Sequence, residues 1–238
     1  MSKILLFDLE TSPNIAYSWH GKYEVDIIEF IEEKYIMSVA YKWLGEKTTH
    51  CFNLGQYRFN HRKFIDELHK LFNQADVIIA HNGDQFDIKM SNREFIKYGF
   101  LPPSPYKQVD TLKIARSKFK FNSNSLNDLA EYLGLGRKED TGGFPLWKSC
   151  MRNEPSGWKI MTKYNKHDVV LLEQVYLKLR AWATSVPDVS DGENCPCCQS
   201  KEKIMQGNKR LANSFFKKRF QCKNCGRWWV GKNKFKVV

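Results

Sequence analysis

The pattern of apolar and polar residues predicts a chain that begins with strands and continues with alternating helices and strands. Short apolar segments at residues 3–7 and 77–80 are typical of buried strands. Residues 35–43 and 48–54 predict a strand pair that is connected around Gly45. This order indicates an α/β fold with a mixed sheet and helices packed on its faces.

Helical spacing accounts for most of the other apolar positions. One predicted helix has an apolar face formed by Phe64, Ile65, Leu68, Leu71 and Phe72. Ser125 and Asp128 form a capping pattern before a second helix, which begins near Leu126. Residues 158–183 predict a long amphipathic helix.

The chain divides into a large, nearly neutral part and a small basic part. Turn-forming residues at 187–192 predict a linker over 185–193, between a domain at 1–184 and a module at 194–238. The net charge is +12, and residues 190–238 carry +9 of it. A module this basic favours a polyanionic partner such as nucleic acid.

Composition excludes several classes of protein. Apolar residues make up 42% of the chain and aromatic residues 14%, which argues against a disordered chain. The apolar runs are no longer than four residues, whereas a membrane helix needs about 20. The same shortness argues against a secretory signal. We therefore expect a cytoplasmic protein that has no contact with a membrane.

Two Cys-x2-Cys pairs separated by 23 residues are typical of a zinc ribbon. The predicted ligands of one structural Zn²⁺ are Cys195, Cys198, Cys222 and Cys225, and Cys197 is left over. A segment of this size has too small a core to fold reliably without such a metal. Two alternatives are a register in which Cys197 replaces Cys198, and a redox role for the pairs.

Carboxylates stand at the ends of two predicted strands. Asp8 and Glu10 would project together from the first strand, because alternate residues of a strand share a face. Asp84 or Asp87 follows the strand at 77–80, where ligands of α/β sheets gather. A solvated strand end and a helix cap are the alternative explanations for these two positions.

A third carboxylate interrupts an apolar stripe of the long predicted helix. The stripe consists of Met161, Tyr164, Asp168, Leu171, Val175, Leu179 and Trp182. A carboxylate facing a core is costly unless it is paired or binds a metal, and Tyr164 lies one turn before Asp168 on the same side. A buried salt bridge is the alternative explanation.

In this order the three positions resemble the motifs of the DEDD exonucleases, which belong to the ribonuclease H-like superfamily. The matching residues are Asp8 and Glu10, then Asn82, Phe86 and Asp87, then Tyr164 and Asp168. Position 163 is Lys where one branch of these enzymes has His, so the chain is similar to the tyrosine branch. That branch includes the proofreading domains of family-B DNA polymerases. His167 would point about 100° away from Asp168 on a helix and is interpreted as incidental.

The resemblance implies a ribonuclease H-like fold and a 3′–5′ exonuclease that releases 5′-mononucleotides. Asp8, Glu10, Asp87 and Asp168 would hold two Mg²⁺ or Mn²⁺ ions, which neutralise the charge that develops during phosphodiester hydrolysis. These four carboxylates and Tyr164 would together form the catalytic site. Tyr164 has an ordinary pKa of about 10, so it would stay protonated and orient the attacking water.

The resemblance also implies contacts with nucleic acid. Asn82 and Phe86 would touch the terminal nucleotides. In the basic module, Lys217, Lys218 and Arg219 stand among aromatic residues, a combination that can track phosphates and stack bases. For each individual ring, a place in the core of the ribbon is the alternative.

The function hypothesis is therefore a metal-dependent 3′–5′ exonuclease, with DNA favoured as substrate and a zinc ribbon that grips it. An exoribonuclease or a structure-selective endonuclease on the same fold is one alternative, and a non-catalytic nucleic-acid-binding protein is another. We expect any polymerase, replication or repair partner to be a separate polypeptide. The compact arrangement resembles stand-alone bacteriophage exonucleases, which would act in the host cytoplasm.

Overall fold

The computed structural model of the chain describes residues 2–19, 26–183, 194–211 and 215–236. The strands are β1 (Ile4–Thr11), β2 (Ile15–Ser18), β3 (Ile27–Glu32), β4 (Ile36–Trp43), β5 (His50–Asn53), β6 (Val77–Ala80), β7 (Lys107–Asp110), β8 (Lys203–Arg210), β9 (Phe215–Cys222) and β10 (Trp228–Lys236). The helices are α1 (His61–Asn73), α2 (Asp87–Lys97), α3 (Thr111–Lys118), α4 (Leu126–Tyr132), α5 (Phe144–Met151) and α6 (Pro155–Leu179), and a 3₁₀ turn spans Leu54–Tyr57. The predicted linker at 185–193 lies outside the described residues.

Five strands form a central mixed sheet in the order β5, β4, β1, β6, β7. The pairs β1/β4 and β4/β5 are antiparallel, whereas β1/β6 and β6/β7 are parallel. The predicted α/β fold with a mixed sheet is therefore confirmed. The parallel strands β1, β6 and β7 end at one edge of the sheet, so the loops that follow them lie close together.

The two faces of β1 pack against different helices. Leu5 and Phe7 belong to a core that includes α1 and α2, whereas Ile4 and Leu6 belong to a core that includes α4 and α6. This alternation follows from the two-residue period of a strand. The even-numbered residues of β1 therefore face α6. Along this face, the apolar residues Ile4 and Leu6 are followed by the carboxylates Asp8 and Glu10.

Several predicted elements need correction. The strands β2, β3 and β7 were not predicted, because β2 and β3 expose their side chains and only two residues of β7 are buried. The long helix ends at Leu179, and Trp182 is 63% exposed rather than inward-facing. The helical period no longer applies beyond the end of α6, and Trp182 packs edge-on against Phe119 instead. The predicted helix face in α1 is confirmed as buried, and Ser125 caps α4 as predicted.

The C-terminal part is a three-stranded antiparallel sheet in the order β10, β9, β8. One cysteine pair precedes β8 and the other connects β9 to β10. Arg227 Nη1 donates a hydrogen bond to the Ala181 carbonyl, at 3.3 Å, which joins this sheet to the residues that follow α6. Within the described part of the chain, no helix is both long enough and apolar enough to cross a membrane.

Candidate functional site

An acidic cluster lies where β1 passes α6. Asp8 and Glu10 project from the face of β1 that packs on α6, and Asp168 is a fully buried residue of α6. Carboxylate oxygen atoms of these three residues lie within 4.8 Å of one another. The fold thus brings together carboxylates from the first strand and the last helix of the domain.

Asp87 adds a fourth carboxylate beside this cluster. It is the first residue of α2, and its Oδ1 accepts a hydrogen bond from the backbone N–H of Leu9 at 3.1 Å. Asp84, the other candidate in this loop, forms an ion pair with Lys113 instead. Neither carboxylate caps α2, which has no side-chain cap.

Burial raises the pKa values of all four carboxyl groups, and repulsion within the group adds to the rise at Asp8 and Glu10. Burial, with a further contribution from the charge of Asp168, raises the pKa of Glu10 to about 8. Burial raises the pKa of Asp87 to about 7. Burial and the charge of Asp87 raise the pKa of Asp8 well above its ordinary value, and burial also raises the pKa of Asp168.

The donor set fits a hard divalent cation. Asp168 Oδ1 is buried, and among the described residues it has no hydrogen-bond partner. Repelling carboxylates with an unsatisfied buried oxygen would be stabilised by a cation between them, and oxygen ligands suit Mg²⁺ or Mn²⁺.

Lys138 contacts this cluster, and sequence reasoning missed it. Its Nζ lies 2.6 Å from Asp168 Oδ2 and 3.5 Å from the Tyr164 hydroxyl. Burial alone would lower the pKa of Lys138, but the charge of Asp168 and the hydrogen bond to it raise that pKa above its ordinary value. No local pattern in the sequence shows that the loop carrying Lys138 folds over α6.

Two further contacts hold the Lys138 loop on α6. His167 Nε2 lies 2.9 Å from the Arg137 carbonyl, and Lys163 Nζ lies 2.9 Å from Glu139 Oε1. His167 thus directs its ring toward the loop backbone.

Asn165 is a second residue that the sequence analysis missed. This fully buried side chain donates a hydrogen bond from Nδ2 to Asp8 Oδ2, at 2.7 Å. Its Oδ1 accepts a hydrogen bond from Ser38 Oγ, at 2.8 Å. Asn165 therefore fixes the orientation of Asp8. Its place on the inner side of the helix, next to Tyr164, was the signal that could have revealed it.

Tyr164 lies beside the acidic cluster and is only partly buried. Burial and the negative charge of Asp168 raise the pKa of Tyr164 above its ordinary value. The hydroxyl therefore stays protonated at neutral pH and can donate a hydrogen bond.

A tight turn after β6 positions Asn82. This residue adopts a left-handed backbone conformation with φ of 64°, which Asn tolerates better than most residues. Its N–H donates to Asp110 Oδ1 at 3.0 Å, and the same carboxylate accepts from Leu112 N at the start of α3. Asp110 therefore caps α3 and fixes the turn at the same time. At Gly83, a Cβ would lie 2.5 Å from the Ala80 Cβ, so the turn requires glycine.

A groove of 660 Å³ connects the acidic cluster to this turn. Its walls include Asp8, Asn82, Arg116 and Lys138, together with the polar loop at 122–127. Phe86 is half-buried and packs against the core on the α1 side of the sheet. The groove is open, polar and adjacent to the carboxylates, so an extended polar ligand can reach them.

The four predicted zinc ligands lie together at the ends of the ribbon strands. Sγ atoms of Cys195 and Cys225 are 3.7 Å apart, those of Cys198 and Cys222 are 3.6 Å apart, and all four lie within 4.8 Å of one another. Tetrahedral Zn–S bonds of about 2.3 Å separate sulfurs by about 3.8 Å, so the geometry fits zinc. Backbone N–H groups lower the pKa of Cys222 to about 7 although burial opposes the change. Cys197 is buried outside this group.

The three predicted basic contacts of the ribbon do not share one face. Along β9, Lys217 and Arg219 project to one side of the sheet, and Lys218, which lies between them, projects to the other.

The fold and the site define a ribonuclease H-like domain, which is a mixed five-stranded sheet with an acidic cluster beside its central strand. A family model described as RNase_H superfamily (RNase_H_2) matches residues 30–180. This range covers more than half of the chain, and the chain belongs to this family.

Two polymerases show further similarity. The DNA polymerase III PolC-type of Ureaplasma parvum serovar 3 is 31% identical over 93 residues, which are 37% of this chain and 6% of that polymerase. The structure of the family B DNA polymerase from the archaeon Pyrobaculum calidifontis aligns with a TM-score of 0.47 and 18% identity, over 76% of this chain and 26% of that chain. This chain therefore spans a small part of each polymerase. Membership in the RNase_H superfamily supports a nuclease.

Proposed function

We propose that this protein is a metal-dependent 3′–5′ exonuclease of the tyrosine-type DEDD branch, with DNA favoured as substrate and 5′-mononucleotides as products. The observation that carries the proposal is the cluster of Asp8, Glu10 and Asp168, with Asp87 and Tyr164 beside it. Family membership in the RNase_H superfamily and the PolC similarity support the same reaction class.

Each residue of the cluster has a distinct part in this proposal. Asp8, Glu10, Asp87 and Asp168 would hold two Mg²⁺ or Mn²⁺ ions. When bound, the ions supply an acidified water and charge neutralisation at the phosphate. The protonated hydroxyl of Tyr164 orients the attacking water, and Asn165 keeps the Asp8 carboxylate in place.

In this proposal the groove beside the cluster binds the nucleic acid. Asn82 lines it, so its side chain can contact the terminal nucleotide, whereas Phe86 would act as a wedge at the entrance to α2. Lys138 carries a positive charge beside the cluster and can meet a phosphate oxygen once a metal ion neutralises Asp168. Cys195, Cys198, Cys222 and Cys225 would hold one structural Zn²⁺ in the C-terminal module.

The test is Asp168→Asn, measured by digestion of 3′- and 5′-labelled DNA and RNA, single- and double-stranded, with Mg²⁺ or Mn²⁺. We expect hydrolysis to fall by roughly 10²- to 10³-fold, because several kcal/mol of charge stabilisation are lost and each 1.4 kcal/mol is tenfold in rate. Binding of nucleic acid should persist.

Asp84→Asn is the matched control, since it makes the same change at a carboxylate outside the cluster. Near-full activity of Asp168→Asn would contradict the metal-ligand assignment. Release of labelled internal fragments would favour an endonuclease, and exclusive cleavage of RNA would favour an exoribonuclease.

A further inference from the structure

The three strands of the C-terminal sheet carry an unusual charge distribution. Together β8, β9 and β10 contain nine Lys and Arg residues and no Asp or Glu. The pairing of the strands decides how these cations are divided between the two faces. Directly paired residues of antiparallel strands share a face.

One face collects most of the cations. Lys209 pairs with Lys217, and Lys217 pairs with Lys234, so three lysines form a row across the whole sheet. Arg219 is two residues along β9 from this row, and Lys236 pairs with Phe215 on the same face. We call this side, defined by these five cations, the cationic face.

Ring contacts agree with this division. On the cationic face, Arg219 lies 5.3 Å from the centre of the Trp228 ring and Lys236 lies 5.0 Å from that of Phe215. On the opposite side, Phe220 stacks near Trp229, which packs against the cysteine cluster. The opposite side therefore carries the apolar contacts near the cysteine cluster, and four of the five cations on the cationic face are exposed.

The row of lysines is unfavourable for the isolated protein. Like charges directly opposite each other destabilise a sheet. Within the part of the chain that the structure describes, none of the five cations forms an ion pair with a carboxylate, and four of them are exposed. An arrangement that costs stability without compensation within these residues indicates a polyanion as the compensating ligand.

Trp228 indicates which polyanion. Trp228 is 45% exposed and lies beside Arg219, on the same face of the sheet as the lysine row. Unpaired bases stack on exposed aromatic rings while cations track the phosphates, whereas an acidic peptide gains nothing from the ring. We propose that the cationic face binds single-stranded nucleic acid, with phosphates along the lysine row and a base on Trp228. This inference uses no residue of the acidic cluster, so it can fail independently of the proposed reaction.

The test compares two matched pairs of substitutions in the full chain. Lys209→Gln with Lys217→Gln removes two charges from the cationic face. Arg210→Gln with Lys218→Gln removes two charges from the neighbouring positions of the same strands, which project to the opposite side of the sheet. Binding of a fluorescent oligothymidylate is measured by anisotropy over a series of salt concentrations, without Mg²⁺ or Mn²⁺.

We expect the first pair to reduce the slope of log affinity against log salt by about 1.4, since each single-strand contact contributes about 0.7. At about 0.1 M salt this corresponds to a loss of roughly 25-fold in affinity. The second pair should change the affinity much less. Equal losses for the two pairs, or no loss for either, would overturn the proposal.

A second variant tests the stacking. Trp228→Leu should weaken single-strand binding by roughly 5- to 150-fold, the range expected for one stacked base. One Zn²⁺ per chain in every variant serves as the folding control. Unchanged affinity of zinc-loaded Trp228→Leu, or tighter binding of a duplex than of the single strand, would overturn the assignment of this face to unpaired bases.

Discussion

At the scale of single residues, the charges and hydrogen-bond acceptors of the carboxylates are partly satisfied by residues from distant parts of the chain. Lys138 offsets part of the negative charge of Asp168, and Asn165 satisfies one oxygen of Asp8. Tyr164 differs from the carboxylates because its hydroxyl stays protonated, and the proposed mechanism gives it no part in holding a metal. Its contribution can therefore be separated from metal binding.

Tyr164→Phe should slow turnover by roughly 10- to 1000-fold, within the range for a positioned group in acid–base catalysis. The apparent affinity for Mg²⁺ should hardly change, because the four carboxylates remain. Single-turnover rates measured over a range of Mg²⁺ concentrations separate the two effects. His167→Ala is the matched comparison, since the ring of this neighbour hydrogen-bonds the loop backbone at Arg137. Full activity of the phenylalanine variant together with an inactive His167→Ala would contradict the tyrosine assignment.

At the scale of elements, α6 completes the acidic cluster and the segment 122–127 lines the groove beside it. The helix α6 supplies Tyr164, Asn165 and Asp168, and a largely buried ion pair between Lys42 and Glu173 fastens it to β4. The segment 122–127 forms a wall of the groove. His81 attaches that wall to the sheet, because its Nε2 lies 3.0 Å from the Asn124 carbonyl while Nδ1 lies 2.9 Å from Thr111 Oγ1.

His81→Ala should therefore loosen the wall of the groove without touching the carboxylates. We expect the Michaelis constant to rise by roughly 5- to 10-fold, corresponding to about 1 kcal/mol for a lost hydrogen bond, with a small change in kcat. Steady-state kinetics on a single-stranded oligonucleotide provide the measurement.

His69→Ala is the control for His81→Ala. His69 also contacts a loop carbonyl, that of Leu101 at 2.8 Å, but it lies away from the groove. If the two alanine variants raise the Michaelis constant equally, His81 has no specific effect on the groove.

At the scale of the whole molecule, a group of wholly or partly buried carboxylates lies at one end of β1, and residues 190–238 carry most of the net positive charge. These carboxylates reduce the stability of the metal-free protein at high pH. Between the ordinary pKa of a carboxyl group near 4 and the raised values of about 7 for Asp87 and about 8 for Glu10, the folded state binds more protons than the unfolded state. The free energy of unfolding therefore falls as the pH rises through this interval.

Divalent cations should reverse this loss, because they bind the ionised carboxylates of the folded state only. The increase in Tm on adding Mg²⁺ or Mn²⁺ should be small at about pH 6 and larger at about pH 8.5, by roughly 2–4 °C for each additional kcal/mol of binding free energy. Thermal unfolding followed by circular dichroism measures it. Glu10→Gln should flatten the pH dependence and Asp84→Asn should not. A metal-induced increase that is independent of pH would contradict the raised pKa values.

The sequence by itself determined those features that depend on local spacing. The period of two placed Asp8 and Glu10 on one face of β1, the helical period placed Tyr164 one turn from Asp168, and the paired cysteines indicated a common site. The mixed α/β sheet also followed from the order of apolar segments. Such features are encoded within a few residues, because the geometry of a strand, a helical turn or a cysteine knuckle is fixed locally.

The tertiary structure decided everything that joins distant segments. The contacts of Lys138 with Asp168, Asn165 with Asp8, and His81 with Asn124 arise from loop paths and helix packing, which no local pattern specifies. The same holds for the strands β2, β3 and β7, which have no continuous apolar run of their own, and for the lysine row. That row exists only because two strand pairings bring Lys209, Lys217 and Lys234 into register. Register depends on the free energy of the whole sheet, so residues far apart in the chain determine it together.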